Sequence, residues 1–279
     1  NGNTAADQFS IENDQTAPTV TISTASSDPV SGAFTATLTF SESVSGFAAS
    51  DISVGNGSAS NFAGSGDLYT ADITPAADGA VTIDVGADAA EDAAGNGNSA
   101  ATQFSIENDQ TAPTIVFSTE AAALVSEAFT ATATFSEDVT GFDAGDLSLT
   151  NATVTDFTAS SGSVYTMTIN PVINGTVIVG LGSGRANDAA GNGNVTSNDL
   201  EVAYDGTTPS VSISSTSTGP VSGAFDVSIQ FSESVRGFTV EDVTVGNGVI
   251  SDFVGSSSTD FEMTVTPSAD GTVTVHVAA

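Results

Sequence analysis

The stretch AFTATLTFS, residues 33–41, alternates without a break: Phe34, Ala36, Leu38 and Phe40 are apolar, and Thr35, Thr37 and Thr39 lie between them. Successive side chains of an extended chain point to opposite faces, so a period of two marks a strand with one buried and one wet face. Threonine suits the wet face, because its branched Cβ favours extended backbone and it carries no charge. The alternation returns at Phe225, Val227, Ile229 and Phe231, at Tyr165, Met167 and Ile169, and at Val177, Val179 and Leu181. No stretch shows a 3.6-residue period built of helix formers, and Ala87–Ala94 has room for one short turn at most.

Around this strand the sequence repeats. NGNTAADQFSIENDQTAPTVT at residues 1–21 and NGNSAATQFSIENDQTAPTIV at 96–116 are identical at 17 of 21 positions. A weaker third copy begins at Asn192. Pro18, Pro113 and Pro209 align, as do Phe40, Phe135 and Phe231, and Pro75, Pro171 and Pro267. Copies two and three carry one extra residue between Phe157 and Tyr165, or Phe253 and Phe261, which assigns that difference to a loop. A period near 95 residues exceeds that of leucine-rich or ankyrin repeats and matches an independent small domain. The expected organisation is residues 1–13 as the last strand of a preceding repeat, then repeats at 14–108, 109–204 and 205–279. The third would lack its last strand, so the chain is expected to start and end within an array.

Seven segments of the first repeat, roughly 18–23, 33–41, 50–55, 58–63, 68–74, 80–86 and 101–107, are separated by Asn, Gly, Asp and Pro. Seven short strands in so few residues predict an all-β fold: tandem immunoglobulin-like, seven-stranded Greek-key β-sandwiches, with another Greek-key sandwich or jelly roll as the alternative. The Cys and Trp of antibody cores are missing, so Phe40, Phe47, Phe62, Tyr69 and Phe104 are expected to fill the space between the sheets.

The chain has 279 residues, 34 of them acidic and only 2 basic, and a net charge of −32. That charge disfavours nucleic acid and anionic membrane surfaces as partners and favours cations. The absence of Cys excludes disulfides, thiolate metal sites and cysteine nucleophiles. No apolar run approaches the length of a membrane span, so no membrane insertion is expected of this segment.

Certain acids recur in register. Asp14, Asp109 and Asp205 precede the first strand; Glu42, Glu137 and Glu233 follow the second in the motif FSE; Asp51, Asp146 and Asp242 open the third strand region; Asp92 and Asp188 open the loop DAAGNGN. In immunoglobulin topology the chain start, the turn after the second strand and the turn before the last strand share one pole. Asp14, Glu42 and Asp92 are therefore expected to converge, and Asp109, Glu137 and Asp188 likewise. Asp78, in a turn at the opposite pole, would face the leading pole of the second repeat. Three carboxylates in one place repel one another unless a cation joins them. Oxygen donors without His or Cys match Ca2+ best, with Asn96 and Asn192 as candidate additional ligands. The competing reading is local: an Asp before Thr-Ala-Pro opens a turn, DAAGN is a loop with Asn or Gly at positive φ, and surface acid serves solubility. Asp51 and its equivalents fit a ligand or a strand-start cap equally.

The stretches FTATLTFSESVSGFAASDISVGNG, NDQTAPT and DAAGNGN together resemble the bacterial immunoglobulin-like repeats of large extracellular adhesins, including biofilm-associated and type I secreted repetitive surface proteins. The resemblance covers essentially the whole chain. It implies an extracellular, cell-surface or secreted spacer of tandem repeats, rigidified by calcium at domain junctions and partnered by neighbouring repeats of the same chain. A surface glycan or receptor would then be met through other parts of the parent protein. Two departures stand out: GTTPS at 206–210 replaces QTAPT, and Asn174 stands where the other copies have Asp78 and Asp270.

No enzyme is expected here. The single His276 has no recurring Ser partner, and no GxSxG, HExxH or phosphate-cradling glycine loop occurs. A carbohydrate- or receptor-binding Ig-like module is the alternative to the stalk, but the chain has no Trp and only three Tyr to serve as anchors.

Overall fold

The structure, a computed structural model, describes residues 2–278. The chain divides into two compact units, Asn1–Asp205 and Gly206–Ala279. The first unit holds two repeats and the second holds one. In the first repeat β1 (Val20–Thr24), β2 (Phe34–Val44) and β4 (Gly57–Pro75) form one sheet, in the order β1-β2-β4. Strands β3 (Ile52–Gly55), β5 (Gly79–Val85) and β6 (Phe104–Asn108) form the other, in the order β3-β5-β6. All these pairings are antiparallel.

The second repeat has β7 (Ile115–Ser118), β8 (Leu124–Val125), β9 (Phe129–Phe135), β10 (Leu147–Thr150), β11 (Ala152–Ala159), β12 (Val164–Pro171), β13 (Gly175–Leu181) and β14 (Leu200–Tyr204). Its sheets run β11-β12-β9-β7 and β10-β13-β14-β8. The second unit contains β15 (Val211–Ser214), β16 (Phe225–Phe231), β17 (Val243–Gly246), β18 (Gly248–Gly255), β19 (Asp260–Pro267) and β20 (Thr274–Val277), in a sheet β15-β16-β19-β18 and a pair β17-β20. Among the described residues, no helix is long and apolar enough to cross a membrane.

The alternating strand behaves as its pattern requires. Phe34, Ala36, Leu38 and Phe40 are buried, while Thr35 and Thr39 are exposed. Leu38 pairs with Ile22 on one side and Tyr69 on the other, fixing the register of the sheet. A one-residue slip would turn the apolar set to water, so burial of one face pins the pairing. Leu38 and Ile73 of one sheet and Val81 and Ile83 of the other are fully buried in one apolar cluster.

Aromatic rings replace a disulfide and tryptophan at the centre. Phe40 and Phe47 meet edge to face at 5.1 Å, and Phe47 meets Tyr69 at 5.1 Å. Phe62 stacks on Tyr69, and Phe104 packs half-buried against the same cluster. The arrangement recurs with Phe135, Phe142, Phe157 and Tyr165, and again with Phe231, Phe238, Phe253 and Phe261. Each such pair contributes about 0.5–1.5 kcal/mol beyond the burial of its area.

Two details differ from the sequence expectation. Segments 58–63 and 68–74 are not separated: Gly57–Pro75 is one continuous β run, where the second repeat has the two strands β11 and β12. The shorter connection brings the backbone at Gly64 against Leu68 and Tyr69, where a Cβ would collide. Gly64 also has φ 136°, a backbone region that side chains disfavour. The second detail is the two-residue strand β8, which pairs in parallel with β14. In the first repeat the matching contact is a single bridge between Val30 and Asn108.

Candidate metal centre

The loop that opens with Asp92 is folded by that side chain. Asp92 Oδ1 accepts from the amides of Ala94 at 2.8 Å and Asn96 at 2.9 Å. Gly95 takes φ 88°, the positive value the turn requires. The Asn96 side-chain amide donates to Asp92 Oδ2 at 2.8 Å and to the Asp14 carbonyl at 3.2 Å. The second repeat reproduces this. Asn192 donates through its main-chain amide to Asp188 Oδ1 and through its side chain to Asp188 Oδ2, both at 2.8 Å. Its side-chain nitrogen also reaches the Asp109 carbonyl at 2.8 Å. Each loop is thereby tied to the segment that leads into its repeat.

The glutamate of FSE is delivered from the sheet. Ser41 donates its amide to the Thr19 carbonyl, and Thr19 donates its amide back to the Ser41 hydroxyl at 3.0 Å, which places Glu42 beside the segment that leads into the repeat. Ser136 and Thr114 do the same for Glu137. Reciprocal backbone bonds between Ser45 and Glu91, and between Thr140 and Asn187, join this strand end to the Asp92 or Asp188 loop.

Among the described residues the result is two acidic triads. Asp14, Glu42 and Asp92 each place a carboxylate oxygen within 4.8 Å of the others, and so do Asp109, Glu137 and Asp188. Asp92 and Asp188 are buried, at 5% and 4% exposure. Hydrogen bonds from Asn96 hold the Asp92 carboxyl below the usual range. Burial, and then the charges of Asp109 and Asp188, push the Glu137 carboxyl up. Among the described residues, no hydrogen-bond donor reaches the carboxylate of Glu42 or Glu137, whereas Asp14 and Asp109 each accept from the amide two residues on, Thr16 or Thr111, at 2.9 Å. Both local readings of the leading aspartate thus coexist: it opens a turn with one oxygen and joins an acidic triad.

The other candidates stand elsewhere. Asp78 belongs to neither triad. Its Oδ1 accepts from the Gln110 amide at 2.7 Å and its Oδ2 from the Thr111 hydroxyl at 2.5 Å, so it grips the linker that leads into the second repeat. These bonds, Thr111 foremost, lower its pKa. At the corresponding turn of the second repeat the polarity is reversed, and Asn174 donates to Asp205 Oδ1 at 2.6 Å. In the second unit, Glu233 Oε1 is buried with no hydrogen-bond partner. Asp51, Asp146 and Asp242 each close a single 3-10 turn, accepting from the amides of Ala48, Asp143 and Thr239 at 2.8–2.9 Å.

Sequence reasoning passed over Asn98 and Asn194, each 1% exposed. Asn98 accepts from the Ala90 amide and donates to the carbonyls of Gly86 and Ser99. Asn194 accepts from Arg185 and Ala186 and donates to Gly182 and Val195. They pin the base of the loop that carries Asp92 or Asp188. Their recurrence at the end of both DAAGNGN motifs was the available signal.

An all-oxygen set with one buried carboxylate and two more accessible ones fits a hard divalent cation. Such an ion would relieve the repulsion that acts on Glu137.

A family model described as bacterial Ig-like domain matches residues 14–107, 109–204 and 205–279. Comparison with curated protein sequences gave no match. Among solved structures, the chain is similar to invasin, a bacterial integrin-binding protein, with 13% identity and a TM-score of 0.39 over 93% of this chain and 56% of that one. Yersinia pseudotuberculosis InvD gives 13% identity and a TM-score of 0.36, covering 94% of this chain and 82% of that one. A tetra-tandem repeat from the extending region of a large adhesion protein gives 17% and 0.26, covering 94% and 66%.

Proposed function

The chain belongs to the bacterial Ig-like domain family, and from that premise we propose that it is an extending segment of a bacterial surface adhesin, outside the cell, whose repeats are stiffened at their joints by calcium. Its role is structural: tandem sandwiches set distance and direction. The strand order supports reading a complete repeat as an immunoglobulin-like Greek key. With β7, β9, β10, β11, β12, β13 and β14 taken as strands A to G, the sheets β11-β12-β9-β7 and β10-β13-β14 are the D-E-B-A and C-F-G sets.

The observation that carries the calcium reading is the position of Asp109. Its amide donates to the Val30 carbonyl of the first repeat. Its carbonyl accepts from Asn192 of the second, and its carboxylate lies within 4.8 Å of those of Glu137 and Asp188. An ion held by that triad would fasten the linker to the second repeat at the point where the first repeat also grips it. Extracellular calcium modules bind in the range of about 10⁻⁴–10⁻³ M, which suits a site filled outside the cell.

Calorimetric titration of the whole chain with calcium, with small-angle scattering on the same samples, tests this. Binding is expected, with a narrower distribution of dimensions in calcium than in chelator. Glu137→Gln should remove one class of sites. No heat of binding and unchanged scattering would refute the calcium part and leave the structural role standing.

A further inference from the structure

The longest free sheet edge of the second repeat is interrupted by one residue. Its outer strands β7, β8 and β10 have four, two and four residues, whereas the outer strand β11 has eight. An outer strand offers amides and carbonyls to another chain, and short strands limit that offer. Among the described residues, β11 pairs with β12 and with no strand on its other side.

The register of this pair shifts. Thr155 stands opposite Thr168, but Thr158 stands opposite Thr166. Asp156 and Phe157 therefore share the one position facing Met167, which defines a β-bulge. The inserted residue is Asp156. Its φ is 51°, in the left-handed region that Asp and Asn tolerate better than other side chains. Asp156 is exposed, while Val154 and Phe157 both pack against the core. Inward residues three apart do not fit a regular strand, whose faces alternate at every residue. The extra residue absorbs that mismatch, and it bends and twists the edge where it sits.

The same feature recurs. Asp252, with φ 53°, precedes Phe253 and lies in the register shift of β18 between Ser251 and Val254. Strand β18 is also the outer strand of its sheet and also has eight residues. In the first repeat Asn61, with φ 50°, precedes Phe62. It lies in the outer half of β4, because β2 pairs with the half from Gly66 to Ile73. Its side-chain amide donates to Asp72 Oδ2 at 2.9 Å. Two repeats place an acid here and one an amide, so the shared property is the backbone conformation and not the charge.

Without Asp156, the segment from Ala152 to Ala159 would read Ala-Thr-Val-Thr-Phe-Thr-Ala. It would alternate throughout, carry no charge, Pro or Gly, and consist largely of β-branched and aromatic residues. On a regular edge that composition favours pairing with an identical strand. We propose that the left-handed residue closes the long edge of each repeat against one partner, the same edge of a second copy of the chain. Two β11 strands laid antiparallel would otherwise join their four-stranded sheets about a two-fold axis. Copies crowded side by side thus keep their sheets separate.

Sedimentation equilibrium of the whole chain with Asp156 deleted tests this, in chelator to remove any calcium effect and with added salt to screen the like charges. The deletion restores regular alternation, so Val154 and Phe157 keep their inward faces. Its weight-average mass should rise with concentration above that of the parent, toward twice 27.5 kDa. The amides of β11 should exchange with solvent more slowly as the mass rises. Asp156→Gly keeps the left-handed conformation and removes the charge, so it should sediment as the parent does. Asp156→Val keeps the chain length but disfavours positive φ, and it should associate as the deletion does. A deletion variant that unfolds cooperatively and has the parent's mass at every concentration overturns the proposal. If the deletion abolishes cooperative unfolding, the parent's mass for Asp156→Val overturns it instead. Association of Asp156→Gly equal to that of the deletion would make charge the barrier and overturns it as well, as does association that leaves exchange in β11 unchanged.

Discussion

The side-chain amide of Asn192 donates to the main-chain carbonyl of Asp109, at 2.8 Å and across 83 positions of sequence. The same nitrogen holds Asp188 Oδ2, so one residue positions two members of the acidic triad without being negative itself. It stitches the linker to the loop through hydrogen bonds alone. Asn192→Ala should therefore destabilise the second repeat in chelator by about 1–3 kcal/mol, the usual cost of unpairing polar groups, some of them charged. Urea unfolding of variant and parent in chelator measures it. An unchanged midpoint and slope would show that the stitch contributes nothing in solution.

Glu137 sets a pH dependence of known sign. Its carboxyl is raised by burial and by the charges of Asp109 and Asp188. In the interval between its unfolded and folded pKa the native state binds more protons than the unfolded state. Stability in chelator should fall as pH rises through that interval, above the ordinary carboxylate pKa. Glu137→Gln removes the charge, so it should flatten this fall and raise the melting temperature in chelator at neutral pH. In calcium the same substitution should lower the melting temperature relative to the parent. Differential scanning calorimetry across mildly acidic to neutral pH, with and without calcium, checks both signs.

Much of this arrangement is legible in the sequence because it is carried by periodicity. Alternation at Phe34–Phe40 selects the face, and the repeat places Phe40, Phe135 and Phe231 in corresponding positions. Topology alone then brings Asp14 and Glu42 to the pole that receives the loop of Asp92. The residues that escaped notice act on the main chain. Asn98 and Asn194 satisfy carbonyls and amides of an irregular loop, and those partners exist only once the loop has folded. The turn at the opposite pole turns Asp78 toward the start of the second repeat, but the sequence does not specify that its carboxylate accepts from a linker amide and hydroxyl. The continuous run Gly57–Pro75 escaped for a related reason: the seven-step spacing of Phe62 and Tyr69 signals a tight connection but not whether pairing continues through it.

Asp78 should make the first joint sensitive to acid. Hydrogen bonds from Thr111 and Gln110 hold its carboxyl below the usual aspartate range. The stability they contribute is complete above the ordinary aspartate pKa and is lost as pH falls through the depressed value. Asp78→Ala removes the grip on the linker at any pH. It should broaden the scattering-derived distribution of dimensions at neutral pH while leaving the sandwich cores intact. Because this grip is separate from the triad, calcium should restore part of the lost order. Identical scattering of Asp78→Ala and the parent in chelator would count against it.

The largest single loss of stability outside the hydrophobic core should come from the buried asparagines. Asn98 is 1% exposed and makes three hydrogen bonds to main-chain groups from three stretches of one loop. Truncation to Ala leaves the Ala90 amide and the Gly86 and Ser99 carbonyls without that partner, in a place water reaches poorly. Each unsatisfied buried group costs about 1–3 kcal/mol, so Asn98→Ala should destabilise the first repeat by about 3 kcal/mol or more. That is a large share of the about 5–15 kcal/mol typical of a whole domain. Asn98→Asp keeps the acceptor but loses both donor bonds and buries a negative charge against the carbonyls of Gly86 and Ser99, so it should be at least as damaging. Asn194→Ala should act in the same way on the second repeat, and the two losses should add, because the sites sit in separate cores. Denaturant unfolding of the single and double variants measures the sum. A cost below about 1 kcal/mol for Asn98→Ala would mean that water replaces the side chain and that the loop is held by Asp92 alone.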